Sequence, residues 1–102
     1  MTQTVRIKVL VVAAIAFPLG AWAQGADLGR NLAATCANCH NTTGKSVGNT
    51  PSIAGLSREA MFNMLKEFKE GRRPATVMHQ HARGYTDAQL ELIAAHYAAQ
   101  NK

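Results

Sequence analysis

Apolar residues recur every three or four positions in three stretches of the chain, and polar sequence with glycine and proline separates these stretches. Such spacing places the apolar side chains of each stretch on one face of a helix. The three sets are Leu28, Leu32 and Ala33; Met61, Met64, Leu65 and Phe68; and Leu90, Ile93, Ala94 and Tyr97. The pattern predicts an all-α protein with three helices, the first of which leads into Cys36.

Two of these helices carry recognisable boundary residues. Ser57 is suited to cap the start of the middle helix, and Gly71 to end it. Thr86 followed three positions later by Gln89 forms a capping box for the last helix. The segments 40–55 and 72–84 lack periodicity and are predicted to be loops, and no strand is predicted.

Residues 1–23 have the character of a secretory signal peptide. A positive start is followed by an apolar run up to Leu19 and by Ala-Trp-Ala at 21–23, the small-x-small pattern that signal peptidase cuts. The run is shorter than the roughly 20 residues of a spanning helix, so cleavage is favoured over a retained anchor. We expect one domain, residues 24–102, in the bacterial periplasm and without a membrane anchor after cleavage.

The expected mature chain is short for a self-sufficient domain. Its 79 residues bury a small fraction of their surface, and domains of this size often depend on a disulfide, a metal or a cofactor. Two long loops in so small a domain also require a reason. A large flat cofactor wrapped by the loops would account for both features.

The charge balance is mildly basic. Loss of Arg6 and Lys8 with the signal leaves nine Lys and Arg against six Asp and Glu, a net charge of +3. There is no dense basic tract and no row of aromatic residues, so nucleic acid is not expected as a partner. The cations that could steer a redox partner instead are Lys45, Lys66, Lys69, Arg72, Arg73 and Arg83.

The two cysteines of the chain lie in the string CANCH, residues 36–40. A redox-active CxxC normally accompanies a βαβ pattern, which this sequence lacks. Structural zinc needs four ligands, and the remaining candidates, His79 and His81, are too closely spaced for a usual finger. A disulfide between Cys36 and Cys39 would close too small a loop to stabilise much.

Covalent attachment of a c-type haem accounts for all three side chains of this string. Two thiols at this spacing can bond the two vinyl groups of one haem, so Cys36 and Cys39 are predicted to hold one haem c. His40 then lies under the iron and is predicted to be its proximal ligand. Covalent attachment also retains the cofactor in an exported protein.

The opposite side of the iron needs a second ligand or stays open. Met61 and Met64 fall on or beside the apolar stripe of the middle helix, where core packing explains them. Met78 lies in a polar segment between a proline and a glycine, so it is predicted to be the distal iron ligand. Ligation by His and Met raises the reduction potential, which suits an electron carrier. The alternatives are His79, His81 and an open coordination position.

Several strings resemble segments of a known family. CANCH, PSIAG at 51–55 and MHQHARGYTDAQLELIAAHYA from Met78 resemble single-haem class I cytochromes c, over nearly the whole mature chain. Within that family, PSIAGL, FKEGRRPATVM and ARGYTD look most like the haem subunit of flavocytochrome c sulfide dehydrogenase. Small bacterial cytochromes of the c553 kind share much of the same pattern.

The resemblance implies a small class I cytochrome c fold, with three main helices and long loops around one haem. It implies that the carbonyl of Pro51 accepts a hydrogen bond from His40, and it also points to Met78 as the axial methionine. Many relatives have an aromatic residue in the place of His96, so Tyr97 is expected to pack against Gly29 instead. The candidates for the wall of the haem pocket are Ile53, Leu56, Leu65 and Phe68.

The function expected from these features is periplasmic electron transfer, not catalysis by the chain itself. No paired acid and base or activated nucleophile is apparent in the sequence. The closer resemblance implies a subunit that accepts electrons from an FAD-containing, sulfide-oxidising flavoprotein. The alternatives are a free-standing c553-like carrier, a ligand-binding or sensor protein with an open haem, and a haem-free zinc or disulfide module.

Overall fold

Five helices form the regular structure of residues 21–100, the part of the chain that the computed structural model describes. They are α1 (Ala21–Ala33), α2 (Ala37–His40), α3 (Arg58–Lys69), α4 (Met78–Arg83) and α5 (Asp87–Ala98). No strand occurs within these residues, and the all-α fold class is confirmed. Residues 1–20 of the expected signal peptide lie outside the described part.

The capping residues predicted for α3 and α5 act as expected. The Ser57 hydroxyl accepts a hydrogen bond from the backbone N–H of Ala60 at 3.1 Å, and Gly71 follows α3 with a φ of +73°. Thr86 and Gln89 exchange both bonds of the capping box at the start of α5. These caps satisfy backbone N–H groups that the first turn of a helix leaves unpaired.

The core lies where α5 packs against both α1 and α3, and α3 also packs against α4. All four apolar positions predicted for the last helix are buried, with Leu90 and Ala94 completely inaccessible. The buried apolar side chains of the described residues are Ala33, Met61, Leu65, Ala82, Leu90, Ile93, Ala94 and Tyr97. This core is small, consistent with a domain that needs a further apolar group to cover its remaining surface.

Helices α1 and α5 approach closely at Gly29. A Cβ atom at this position would lie 2.8 Å from the backbone carbonyl oxygen of Leu92, so only glycine fits without moving the helices. The nearest side chain is His96, whose Cβ would be 3.6 Å away. His96 thus takes the place at the crossing that the sequence suggested for Tyr97, whose ring instead packs beside Gly44.

One segment predicted to be loop contains a helix. Met78–Arg83 forms the short helix α4 of six residues, whose N-cap residue, Val77, makes no side-chain capping bond. Its Ala82 is only 2% exposed, and the helix packs against α3. Tertiary packing therefore overrides the weak local signal of this segment.

Candidate functional site

The string 36–40 folds into a single turn that holds its three reactive side chains together. Cys36 is the N-cap of α2, and its carbonyl accepts the backbone N–H of His40 at 2.9 Å. No disulfide joins the two cysteines, of which Cys36 is half-buried and Cys39 is exposed. Burial raises the pKa of the Cys36 thiol.

His40 is fixed in one orientation by its ring nitrogen Nδ1. The side chain is only 8% exposed, and Nδ1 lies 2.9 Å from the carbonyl oxygen of Pro51. Because a carbonyl only accepts hydrogen bonds, Nδ1 carries the proton and Nε2 keeps its lone pair. Among the described residues Nε2 has no hydrogen-bond partner, so it is available to bind a metal.

The loop after His40 is held at Gly44. The carbonyl of Gly44 accepts the backbone N–H groups of Ile53 and Ala54 at 2.9 and 3.1 Å, and the hydroxyl of Ser52 at 2.9 Å. Gly44 has a φ of +81°, and a Cβ there would meet Ala54, Ile53 and Tyr97 within 3.3 Å. This turn brings residue 51 back over His40.

Tyr97 ties the end of α5 to the residue after His40. Its hydroxyl donates to the carbonyl of Asn41 at 3.2 Å, and the ring is 1% exposed. Desolvation by burial raises the pKa of the Tyr97 phenol to about 12. Asn41 has a φ of +63°, a conformation that asparagine tolerates better than most residues.

Met78 begins α4 and lies near His40. Its half-buried side chain packs against the core cluster. His79 instead lines a separate depression of about 270 Å³ with Arg73 and Arg83, and His81 is exposed. Met78 therefore combines packing on the core with a position near His40.

Several half-buried apolar side chains surround these residues. Leu32, Cys36, Ile53, Leu56, Phe62, Met78 and Tyr85 pack against the core without being fully covered by protein. A flat apolar group held at Cys36 would cover such surface, so the residues fit a haem. The sequence analysis did not name Leu32, Phe62 or Tyr85 as candidates for the haem pocket. The partial exposure of Phe62 and Tyr85 corresponds to no periodic pattern in the sequence that could have identified them.

The predicted pocket residues occupy different environments. Ile53 and Leu56 belong to the half-buried set, whereas Leu65, at 7% exposed, belongs to the core itself. Phe68 is half-buried, and the guanidinium carbon of Arg73 lies 5.7 Å from the centre of its ring. The pocket assignment stays a prediction for all four residues.

Most of the cations that the sequence suggested for steering a partner are paired with carboxylates. Lys66 and Lys69 contact Asp87 at 2.9 and 3.0 Å, and Arg72 and Arg73 contact Glu70 and Glu67 at 2.7 and 2.8 Å. Within residues 21–100, Lys45 and Arg83 have no carboxylate within 4.0 Å. Fewer of the six predicted cations are therefore free of a carboxylate partner than the sequence suggested.

Other candidate sites find little support. In the described part of the chain no three His, Cys, Asp or Glu side chains converge to hold a metal ion. A groove of about 700 Å³ runs between α1 and α5 beside Gly29 and His96 and includes none of the predicted site residues. Of the helices described here, none has the length and apolar character needed to cross a membrane.

Comparison with known proteins gives a consistent family. The cytochrome c family model matches residues 26–97. The chain is 43% identical over 74 residues to the cytochrome subunit of sulfide dehydrogenase of Chlorobaculum tepidum, covering 72% of this chain and 67% of that protein. It is 30% identical over 82 residues to cytochrome c-554(548) of Halomonas halodenitrificans, covering 76% of this chain and 99% of that protein.

A third relative is longer than this chain. Cytochrome c4 of Pseudomonas aeruginosa is 32% identical over 79 residues, which cover 76% of this chain but only 39% of that protein. The match to the family model spans α1 to α5 and includes the single CxxCH string. The chain therefore belongs to the cytochrome c family, as an electron-transfer protein with one covalently bound haem c.

Proposed function

We propose that this cytochrome is the haem subunit of a sulfide-oxidising flavocytochrome and accepts electrons from an FAD-containing flavoprotein. The relative that is 43% identical is named as a cytochrome subunit of sulfide dehydrogenase, and the alignment covers 67% of it. The strings PSIAGL, FKEGRRPATVM and ARGYTD resemble such subunits as well. The chain itself would carry electrons and perform no catalysis.

The observation that carries the haem assignment is the orientation of His40. Its Nδ1–H is bound to Pro51, and its Nε2 is left without a protein partner in the described residues. In the proposed site Cys36 and Cys39 would hold the haem by thioether bonds, and His40 and Met78 would bind its iron. When bound, the haem supplies an iron that alternates between the ferric and ferrous states.

The surrounding residues prepare the chain for this role. The Pro51 carbonyl fixes the tautomer of His40 and increases the electron-donating power of its ring. Ile53, Leu56, Leu65 and Phe68 would exclude water from the haem faces. The thioether of Met78 is a soft ligand that stabilises reduced iron, so the potential rises.

Export is part of the proposal. The signal-like residues 1–23 support a periplasmic location, where haem would be attached to the thiols after translocation.

The distal ligand can be tested by replacing Met78 with Ala. We expect the reduced variant to bind carbon monoxide readily, because the sixth position would be open, whereas the reduced wild type resists it. Visible spectra before and after addition of carbon monoxide measure the difference. Met64→Ala, which truncates a half-buried methionine of α3, is the matched control and should resist carbon monoxide like wild type.

The carbon monoxide experiment separates an electron carrier from a ligand-binding or sensor protein. Rapid binding of carbon monoxide by the wild type would overturn ligation by Met78 and favour a ligand-binding or sensor protein. A His79→Ala or His81→Ala variant that opens the site, with Met78→Ala unchanged, would transfer the distal role to that histidine.

The partner can be identified by purification from the periplasm of the native organism. We expect a complex that shows flavin and haem absorption together and in which sulfide reduces the haem. A cytochrome that elutes alone as a monomer and is not reduced through any flavoprotein would contradict the subunit assignment.

A free-standing electron carrier is the second candidate. The alignment with cytochrome c-554(548) spans 99% of that protein, so a single domain of this size exists as a whole cytochrome. The elution experiment decides between the two candidates, because only the subunit requires a permanent flavoprotein partner.

A further inference from the structure

The hydroxyl of Ser46 joins the hydrogen bond between His40 and Pro51. Its Oγ lies 2.8 Å from the Pro51 carbonyl oxygen and 3.1 Å from Nδ1 of His40, while Nδ1 lies 2.9 Å from the same oxygen. The three polar atoms form a closed triangle beside the ring nitrogen of His40. Ser46 is half-buried, and none of the roles described above uses it.

The directions of these bonds follow from the chemistry of each atom. The carbonyl oxygen has two lone pairs and no proton, so both Nδ1–H and Oγ–H donate to it. A separation of 2.8 Å is typical of an O–H···O bond, whereas 3.1 Å lies toward the long end of the range for N–H···O bonds. The principal role of the Ser46 hydroxyl is therefore donation to Pro51, with a weaker contact to His40.

Two donors on one carbonyl oxygen draw on the same electron density. Each bond is then weaker than it would be if the other donor were absent. A weaker bond from Nδ1–H keeps the proton more firmly on the imidazole, so Nε2 becomes a poorer electron donor to a metal. Weaker donation favours reduced iron over oxidised iron.

We propose that Ser46 tunes the haem through His40, raising the reduction potential by sharing the Pro51 carbonyl with the imidazole. Ser46 is a positioning residue, since it acts through His40 and touches no reacting atom. The inference rests on the proposed role of His40 as the proximal iron ligand.

The test is the reduction potential of the Ser46→Ala holoprotein. Without the hydroxyl, the Pro51 carbonyl accepts only Nδ1–H, so we expect the potential to fall below that of wild type. In NMR spectra of the reduced protein the Nδ1–H proton of His40 should move downfield, because its hydrogen bond is stronger. If Ser46 only held the Pro51 carbonyl in place, both the potential and the chemical shift should change in the opposite direction. The carbonyl would then be less well positioned in Ser46→Ala and would bind Nδ1–H less well.

Matched variants isolate the hydroxyl from its surroundings. Ser46→Thr keeps the hydroxyl and should keep the wild-type potential, whereas Ser46→Val has nearly the same shape as threonine without it and should behave like alanine. The Thr and Val pair also decides the question if Ser46→Ala does not fold. Ser52→Ala removes a hydroxyl of the same loop that donates to Gly44, not to Pro51, and should leave the potential unchanged.

The results distinguish this inference from the ligand assignment. If His40→Ala retains the wild-type spectrum of the iron, the proposed proximal ligand is wrong. If His40→Ala loses that spectrum but Ser46→Ala and Ser46→Val leave the potential unchanged or raise it, the role of Ser46 alone is overturned.

Discussion

At the scale of single residues, hydrogen bonds to backbone carbonyls determine the geometry around His40. Pro51 fixes the ring of His40, and the next residue along the chain, Asn41, is fixed by the hydroxyl of Tyr97. The two contacts come from segments 11 and 56 positions away. The CANCH string identifies the reactive side chains, but the groups that orient them are distant in sequence.

Replacing Tyr97 with Phe tests the second of these contacts. We expect a loss of about 1 kcal/mol in the free energy of unfolding, because the part-buried hydrogen bond to the Asn41 carbonyl is removed while the ring still fills the core. Denaturant unfolding of the holoprotein measures the loss. Thr42→Ala, an exposed hydroxyl at the same turn, should change stability by less than about 0.5 kcal/mol, and an equal loss in both variants would contradict the assignment.

Ser46 illustrates why part of the site escapes sequence reasoning. A serine between Lys45 and Val47 in a glycine-containing loop carries no pattern that distinguishes it from a solvated residue. Its position becomes apparent only when the turn at Gly44 places residues 46 and 51 beside one ring nitrogen. Cys36, Cys39 and His40 needed no such folding, because their spacing alone gives the chemistry.

At the scale of helices, the boundaries with side-chain caps were predictable and the others were not. Ser57 and the Thr86–Gln89 pair cap α3 and α5 by local bonds, which depend only on neighbouring residues. Helix α4 has no capping side chain at its start, and it packs on α3. Because tertiary packing leaves no local signal, its sequence alone resembles that of a loop. Helix α1 begins at Ala21, within the segment that the sequence assigns to the signal peptide.

The crossing of α1 and α5 predicts the effect of Gly29→Ala. The new Cβ would lie 2.8 Å from the backbone carbonyl of Leu92, which cannot move aside as a flexible side chain could. We expect the helices to separate and the free energy of unfolding to fall by about 1–3 kcal/mol, measured by thermal or denaturant unfolding.

Gly25→Ala is the control for that experiment. A Cβ at Gly25 would meet nothing within 4 Å, although the residue lies in the same helix. Since alanine favours helix over glycine, this variant should gain up to about 1 kcal/mol. Destabilisation of similar size in both variants would contradict the close approach at Gly29 as its cause, because no such contact exists at Gly25.

At the scale of the whole molecule, ion pairs connect α3 to the start of α5. Asp87 receives Lys66 and Lys69 from the last turns of α3, and Lys66 also contacts Glu70 at 3.4 Å. Hydrogen bonds and the positive charge of the lysines lower the pKa of Asp87, and Arg72 with Lys66 lowers that of Glu70. These groups lie on the surface, so salt should weaken their effect.

The lowered pKa of Asp87 gives a pH prediction. A carboxyl with a lower pKa in the folded state stabilises the fold above its unfolded pKa, and this contribution disappears as the pH falls through the folded value. Asp87→Asn should therefore be less stable than wild type at neutral pH, with the difference shrinking below the ordinary aspartate pKa of 3.8.

Unfolding curves between pH 7 and pH 3, at low and high salt, measure this effect. Glu59→Gln removes an exposed carboxylate from the first turn of the same helix that carries Lys66 and Lys69, and serves as the control. A difference for Asp87→Asn that stays constant over the whole pH range would show that the carboxylate charge is not its cause.

The two halves of the proposed iron coordination differ in what they require of the chain. Cys36, Cys39 and His40 span five residues and one turn of helix. This half of the proposed coordination should therefore survive loss of the tertiary fold. In the proposed coordination Met78, 38 positions after His40, would depend on α4, which packs on α3. The visible spectrum of the protein should therefore report its folding. The spectral bands of methionine ligation should disappear when α4 detaches from α3. The haem would stay covalently attached, so the chain could refold around it.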